Sequence, residues 1–240
     1  MKNILITLLS MLIPSSVIMA QYQNVQEKAS LVNVPLEKFV SQQKTLFNFD
    51  WKFQLVTEEN KGTNFAAPAL DDSSWRILDL PHDFQFEQPW TKAGGGARGF
   101  KPMCEGWYRK SFQADPLWKG KRVVMDFGGI IYLGDVYLNG HKIASTDYGY
   151  VGIEADLTPY LHFEKENIVA VYASTGPKKG SRWYTGGGLF RDVYLQVQNP
   201  THIARHGIYI TTPEVASDKA IVAVQVEVDG WQKHDVLVRT

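Results

Sequence analysis

From Trp51 onward the chain alternates apolar and polar residues with a period of two. The stretches WKFQLV (Trp51–Val56), GWYRKSFQ (Gly106–Gln113), RVVMDFGG (Arg122–Gly129), GDVYLNG (Gly134–Gly140), NIVAVYAS (Asn167–Ser174) and RDVYLQVQ (Arg191–Gln198) all carry it. Side chains on a strand point to opposite faces in turn, so this pattern predicts half-buried strands. Val, Tyr, Phe and Trp dominate these stretches, as a pleated, packed surface favours. Asn139-Gly140 predicts a tight hairpin, because both central residues of a type I′ turn need positive φ. HKIAS follows as the return strand. No apolar repeat of helical period sustains a helix in this region, and the pattern predicts an all-β sandwich.

The pattern breaks at Asn199-Pro200. Beyond it, HGIYITTPEV, AIVAVQVEV and HDVLVRT (ending at Thr240) predict three further strands. An immunoglobulin-like sandwich takes about seven, so three strands do not close one, and residues 199–240 are expected to be an incomplete domain with unpaired strand edges. At the other end, Met1-Lys2-Asn3 precedes an apolar run that closes on Ala20. A basic start, a short apolar core and a small residue before a cut predict a secretory signal peptide over residues 1–20, a retained membrane anchor being the alternative. The expected location is therefore exported, periplasmic or extracellular. Residues 21–45 form a polar lead segment, and Leu36, Phe39, Val40 and Gln43 within it, with Leu46 just after, suggest one or two amphipathic turns.

Composition narrows the chemistry. Lys plus Arg and Asp plus Glu are equal at 25 each and are scattered, so the basic stripe of a nucleic-acid binder is missing. Seven Trp, eleven Tyr and twelve Phe suit a packed β core and carbohydrate stacking alike. One cysteine, Cys104, excludes a disulfide framework within the chain, and it reads as a small, partly buried residue, not a nucleophile. His202 and His206 stand four apart in an extended segment without a third ligand, so no metal site and no cofactor is expected. Arg191-Asp192 reads as a structural ion pair at a strand start, and Gly94–Gly96 as a mobile loop.

The most distinctive stretch is SRWYTGGGLFRDVYL (Ser181–Leu195). A phosphate loop runs from glycines into a helix N-terminus. Here Gly186–Gly188 runs into an alternating strand, which disfavours that reading. Aromatic faces pack on the apolar face of a sugar ring while Arg and carboxylate groups hydrogen-bond its hydroxyls. That chemistry makes Arg182, Trp183 and Tyr184 candidate sugar-binding residues, against a plain core Trp183 and an interface Arg182. Within Pro81-His82-Asp83-Phe84, the residues by themselves make Asp83 a turn residue after proline and His82 a structural hydrogen-bonder, not a base.

Four stretches in order resemble one family: FNFDWKFQL (Phe47–Leu55), DDSSWRILDLPHDF (Asp71–Phe84), GWYRKSF with the VYLNGHKIAS hairpin, and SRWYTGGGLFRDVYL. Together they are similar to the N-terminal sugar-binding jelly-roll domain of glycoside hydrolase family 2, on its β-galactosidase side. The resemblance implies a galactose-binding-like jelly-roll β-sandwich over residues 46–198, followed by the start of an immunoglobulin-like β-sandwich. It implies that Asp83, Arg182, Trp183 and Tyr184 line one wall of a sugar pocket, with a β-galactoside or related glycan as partner. Phe84 stands where the family often has Trp, and the position of an additional acidic metal ligand holds Ser181 or Arg182. The family's two catalytic glutamates, one following an Asn, sit on a (β/α)8 barrel. This sequence has no Asn-Glu dipeptide and no barrel pattern. The expectation is an enzyme's pocket wall whose barrel is missing from this chain, inactive alone, with a stand-alone carbohydrate-binding module as the alternative.

Overall fold

The computed structural model describes residues 6–9, 42–176 and 186–230. Two compact units emerge: Gln43–Val197, and a second that joins the N-terminal residues to the segment beyond Gln198. Arg182, Trp183 and Tyr184 lie outside the described residues, as do the predicted strand HDVLVRT and most of the leader and lead segments.

Among the described residues the strands run in chain order as β1 (Ile6–Leu9), β2 (Gln42–Leu46), β3 (Trp51–Leu55), β4 (Arg76–Leu78), β5 (Glu105–Phe112), β6 (Arg122–Phe127), β7 (Ile130–Ile131), β8 (Leu133–Leu138), β9 (His141–Thr146), β10 (Ile153–Asp156), β11 (Asn167–Ser174), β12 (Gly188–Leu189), β13 (Val193–Gln198), β14 (His202–Val215) and β15 (Ala220–Asp229). In the larger unit, a six-stranded sheet of order β4-β3-β5-β11-β8-β9 faces a four-stranded sheet of order β10-β6-β13-β2. One core joins them. Phe53, Tyr108, Val136 and Val171 from the first sheet meet Val123, Met125, Phe127 and Leu195 from the second. The alternation does its expected work. Trp51 and Phe53 are buried while Lys52 and Gln54 between them are half-exposed. This is the all-β sandwich that the period-two pattern predicts and the jelly roll that the resemblance implies.

The Asn139-Gly140 hairpin forms as predicted, with φ of 52° and 85° at its two residues. Asn139 does more than turn. Its side-chain oxygen accepts from Ile168 N at 2.9 Å and its amide donates to Asn167 Oδ1 at 2.9 Å, tying the hairpin to β11. The amphipathic-turn reading fails for Gln42–Leu46, which forms β2 at the margin of the four-stranded sheet. Gly94–Gly96 has local structure within its loop. It belongs to two short 3-10 turns, closed by Phe100 N donating to Gly95 O and Thr91 N to Phe100 O.

The smaller unit is a sheet of order β1-β15-β14. Its long hairpin is interrupted by register shifts between Ile203 and Ile208 and between Thr211 and Glu214, the first around His206 with φ of 57°. Val226 and Val228 are buried, whereas Ile208, Tyr209 and Ile210 are exposed in succession. His202 Nδ1 lies 3.0 Å from Pro200 O, a local backbone contact. Among the described residues no helix is long and apolar enough to cross a membrane.

Candidate functional site

Two segments far apart in sequence run side by side at one end of the sandwich. His82 N donates to Leu189 O at 2.8 Å and Phe84 N to Gly187 O at 2.9 Å, so 82–84 and 187–189 form a short ladder. On its other side β12 pairs with β7, Leu189 opposite Ile130 and Gly188 opposite Ile131. The peptide bond Leu80–Pro81 that leads in is cis.

Asp83 locks the ladder. Its Oδ1 accepts three backbone N–H groups: Gln85 at 3.0 Å, Phe86 at 3.1 Å and Gly187 at 3.0 Å. The first two make a turn on the segment's own backbone, the use of Asp after proline that the sequence also allows. The third reaches across to the glycine loop. The glycines have steric reasons to be there. A Cβ on Gly188, whose φ is 121°, would come to 2.3 Å of Tyr108 Oη, and one on Gly186, with φ of 84°, to 2.9 Å of Asp83 Oδ2. At Gly187 a Cβ would meet Thr175 Cγ2 at 2.6 Å. The three glycines thus let the loop backbone press onto Asp83, Tyr108 and Thr175. No helix follows them, so the phosphate reading gains no support.

The same end of the sheet is closed by β5 and β11. Thr175 N donates to Cys104 O at 3.0 Å, and Cys104 N donates to Thr175 Oγ1 at 3.0 Å. In the sequence, Arg182, Trp183 and Tyr184 fall between two held positions: Thr175, bridged to Cys104, and Gly187, bonded to Asp83. Burial, with the Asp83 charge nearby, pushes the Cys104 thiol up to about 12, so it is no nucleophile at neutral pH.

Beside the ladder lies a polar network that sequence reading did not assemble. His82 Nδ1 is 2.8 Å from Tyr108 Oη, and Nε2 lies 2.9 Å from Arg76 Nη2 and 3.2 Å from Glu87 Oε1. Arg76 also donates to both Glu87 oxygens, at 3.0 and 2.8 Å. Burial lowers the His82 pKa below its ordinary value, outweighing Glu87. Burial alone would raise Glu87, but the hydrogen bonds from Arg76 and His82 win and hold it below the usual carboxylate range. Burial also raises Tyr108 far above an ordinary phenol. His82 is a structural hydrogen-bonder, as its sequence context suggests. The residue types that build the network are visible in the sequence, but their convergence from β4, β5 and the segment that joins them is not.

Two exposed aromatics flank this region. Phe86 and Trp90 are each 68% exposed, and the buried Lys101 donates to Phe86 O and Gln88 O with its ammonium 4.2 Å from the Trp90 ring centroid. Arg191 and Asp192 do not serve each other as the sequence suggests. Arg191 donates to Gly128 O and Tyr150 O, whereas Asp192 accepts from Asn48 Nδ2 at 2.8 Å and from Tyr194 Oη. Their side chains brace different neighbours.

Residues 102–191 match the family model described as glycosyl hydrolase 2 galactose-binding domain-like. The chain is 37% identical over 181 residues to a β-galactosidase of Bacteroides ovatus, an alignment covering 73% of this chain and 20% of that protein. It is 28% identical over 220 residues to a β-glucuronidase of Formosa agariphila, covering 81% of this chain and 22% of that one. Among solved structures it resembles a β-glycosidase from Bacteroides vulgatus, with TM-score 0.73, 34% identity, and coverage of 80% of this chain and 25% of the other. The chain thus spans about a fifth of the length of these curated relatives.

Proposed function

Since this chain carries the galactose-binding-like jelly roll of glycosyl hydrolase family 2, we propose that it is the N-terminal part of an exported, retaining hydrolase of β-galactosides, in which the glycine-loop end forms one wall of the sugar pocket. The observation that carries this reading is that Asp83 Oδ1 holds Gly187 N and that Cys104 and Thr175 are bridged, so the described residues on both sides of 177–185 are fixed. Arg182 and Tyr184 carry groups that hydrogen-bond sugar hydroxyls, and Trp183 a face that packs on a sugar ring. Asp83 is a positioning residue whose Oδ1 holds the loop. Retention needs two carboxyl groups roughly 5–5.5 Å apart, one attacking the anomeric carbon while the other protonates the leaving oxygen. These belong to a barrel outside the present sequence, and the chain alone is inactive. Export rests on the basic start and apolar run that end at Ala20.

The test has two arms. The purified 240-residue chain is assayed with an aryl β-galactoside, and the intact polypeptide from the natural source is weighed and assayed likewise. The proposal expects no turnover by the first. It expects from the second a mass several times larger and galactose released with retained anomeric configuration. Enzyme-like turnover by the short chain, or inversion by the long one, would refute it.

A further inference from the structure

The face of the six-stranded sheet turned away from the core is not a plain solvated surface. Cross-strand register places Trp107 opposite Tyr172, Tyr172 opposite Asp135, and Asp135 opposite Ser145, so four neighbouring strands present one row of side chains on one face. The alternate residues Tyr108, Val171 and Val136 are buried in the core, which fixes the row as outward. The row is aromatic at one end, with Trp107 5.3 Å from Tyr172 and 5.6 Å from Tyr137 between ring centroids. It is polar at the other. Lys142 Nζ lies 2.6 Å from Asp135 Oδ1. Asp135, Lys142, Ser145, Thr146, Asp147 and Tyr172 line a depression of about 510 Å³ there. That volume is within the range of small-ligand sites.

We propose that this depression is a binding subsite for neutral saccharide units. A sugar hydroxyl both donates and accepts, so a vicinal pair matches a carboxylate and an ammonium held at fixed spacing: one hydroxyl donates to Asp135 while its neighbour accepts from Lys142. Ser145 adds a hydroxyl, and Tyr172 a ring edge at the side of the depression. Burial, with Glu105 and Asp135 close by, raises Tyr172 to about 12, so the phenol stays neutral and keeps its proton at neutral pH. Two carboxylates against one ammonium disfavour an anionic ligand, which sets this lining apart from a phosphate or uronate site. The lining is too polar for an apolar partner surface. Position fits as well. Ser174, opposite Leu133 at the end of β11, leads directly into the Cys104–Thr175 bridge, so the depression opens at the end of the sheet from which segment 177–185 departs. The choice of sugar rests on the proposed function.

The full 240-residue chain is titrated calorimetrically with neutral β-1,4-galactotetraose and with a tetramer of galacturonic acid. Variants are Asp135→Asn, Lys142→Ala and Ser145→Trp on this face, and Arg182→Ala on the glycine loop. The expected result is saturable binding of the neutral tetramer, weakened about tenfold or more by each of the three face variants. Their unfolding midpoints stay near that of the parent, and galacturonate does not compete. Lys142 and Ser145 are exposed, so Lys142→Ala remains a fair test if Asp135→Asn disturbs folding. No saturable binding, binding indifferent to all three changes, or preference for the uronate overturns the inference. Binding lost only in Arg182→Ala also overturns it, while leaving the proposed function standing.

Discussion

Replacing Asp83 by Ala removes one oxygen that serves three backbone donors. Two of them, Gln85 N and Phe86 N, belong to a local turn comparable to a helix cap, worth about 1 kcal/mol. The third, Gly187 N, is a long-range, charge-assisted bond in a half-buried place, worth about 2 kcal/mol. The sum is about 3 kcal/mol for Asp83→Ala. Asp83→Asn keeps Oδ1 as a neutral acceptor and is expected to cost about 1 kcal/mol. Unfolding of the chain in urea gives both differences, and for a unit of this size they correspond to midpoint shifts of roughly 2–4 °C per kcal/mol. Amide exchange at Gly187 supplies the local readout: it accelerates strongly in Asp83→Ala and little in Asp83→Asn. If the two variants lose the same stability, or if Gly187 exchange is unchanged in the Ala variant, Asp83 does not act through its acceptor oxygen and the loop is not anchored as described.

Three further outcomes follow from the same geometry. Gly188→Ala introduces a Cβ 2.3 Å from Tyr108 Oη at a φ of 121°, and is expected to cost about 2–4 kcal/mol, whereas Gly120→Ala, with a φ of 77° and open space around it, costs about 1 kcal/mol. Equal losses in urea unfolding would show that the ladder is loosely packed. His82 binds its proton more weakly folded than unfolded, so the unfolded chain holds more protons in the window between the two pKa values. Stability from this group is complete above its ordinary value of 6.5 and is lost as pH falls from there through the depressed folded value. His82→Gln flattens that part of the stability curve, and an unchanged curve would exclude His82 as its source. Cys104, with its thiol raised to about 12, reacts with iodoacetamide at pH 8 far more slowly than a free thiol and regains normal reactivity in urea; rapid labelling of the folded chain would contradict its burial.

The strands were legible because their work is local. Val, Tyr and Phe at alternate positions place one face inward whatever the partner, and Asn139-Gly140 announces its own turn. β2 escaped because QQKTL is a polar strand at the margin of its sheet with no apolar alternation to read. β4 and β10 are short and irregular in pattern. The glycine loop was legible as unusual but not as explained. Gly188 is required by Tyr108, eighty positions earlier, and Gly187 by Thr175, so the reason resides in neighbours that only the fold supplies. The family resemblance assigns Asp83 to contact with sugar, and its geometry gives Oδ1 a second task, holding Gly187 N of the glycine loop. The outward row Trp107–Tyr172–Asp135–Ser145 was invisible because no two of its members belong to one strand.

The proposed function stands or falls on Arg182 and Tyr184 contributing to a sugar pocket completed by a catalytic barrel. The most direct measurement is kcat/KM for an aryl β-galactoside in the full-length natural polypeptide carrying Arg182→Ala or Tyr184→Ala. The account predicts a loss of about tenfold or more in each, with the unfolding midpoint of the jelly roll unchanged. Wild-type kcat/KM in both variants would contradict it and would remove this domain from the pocket.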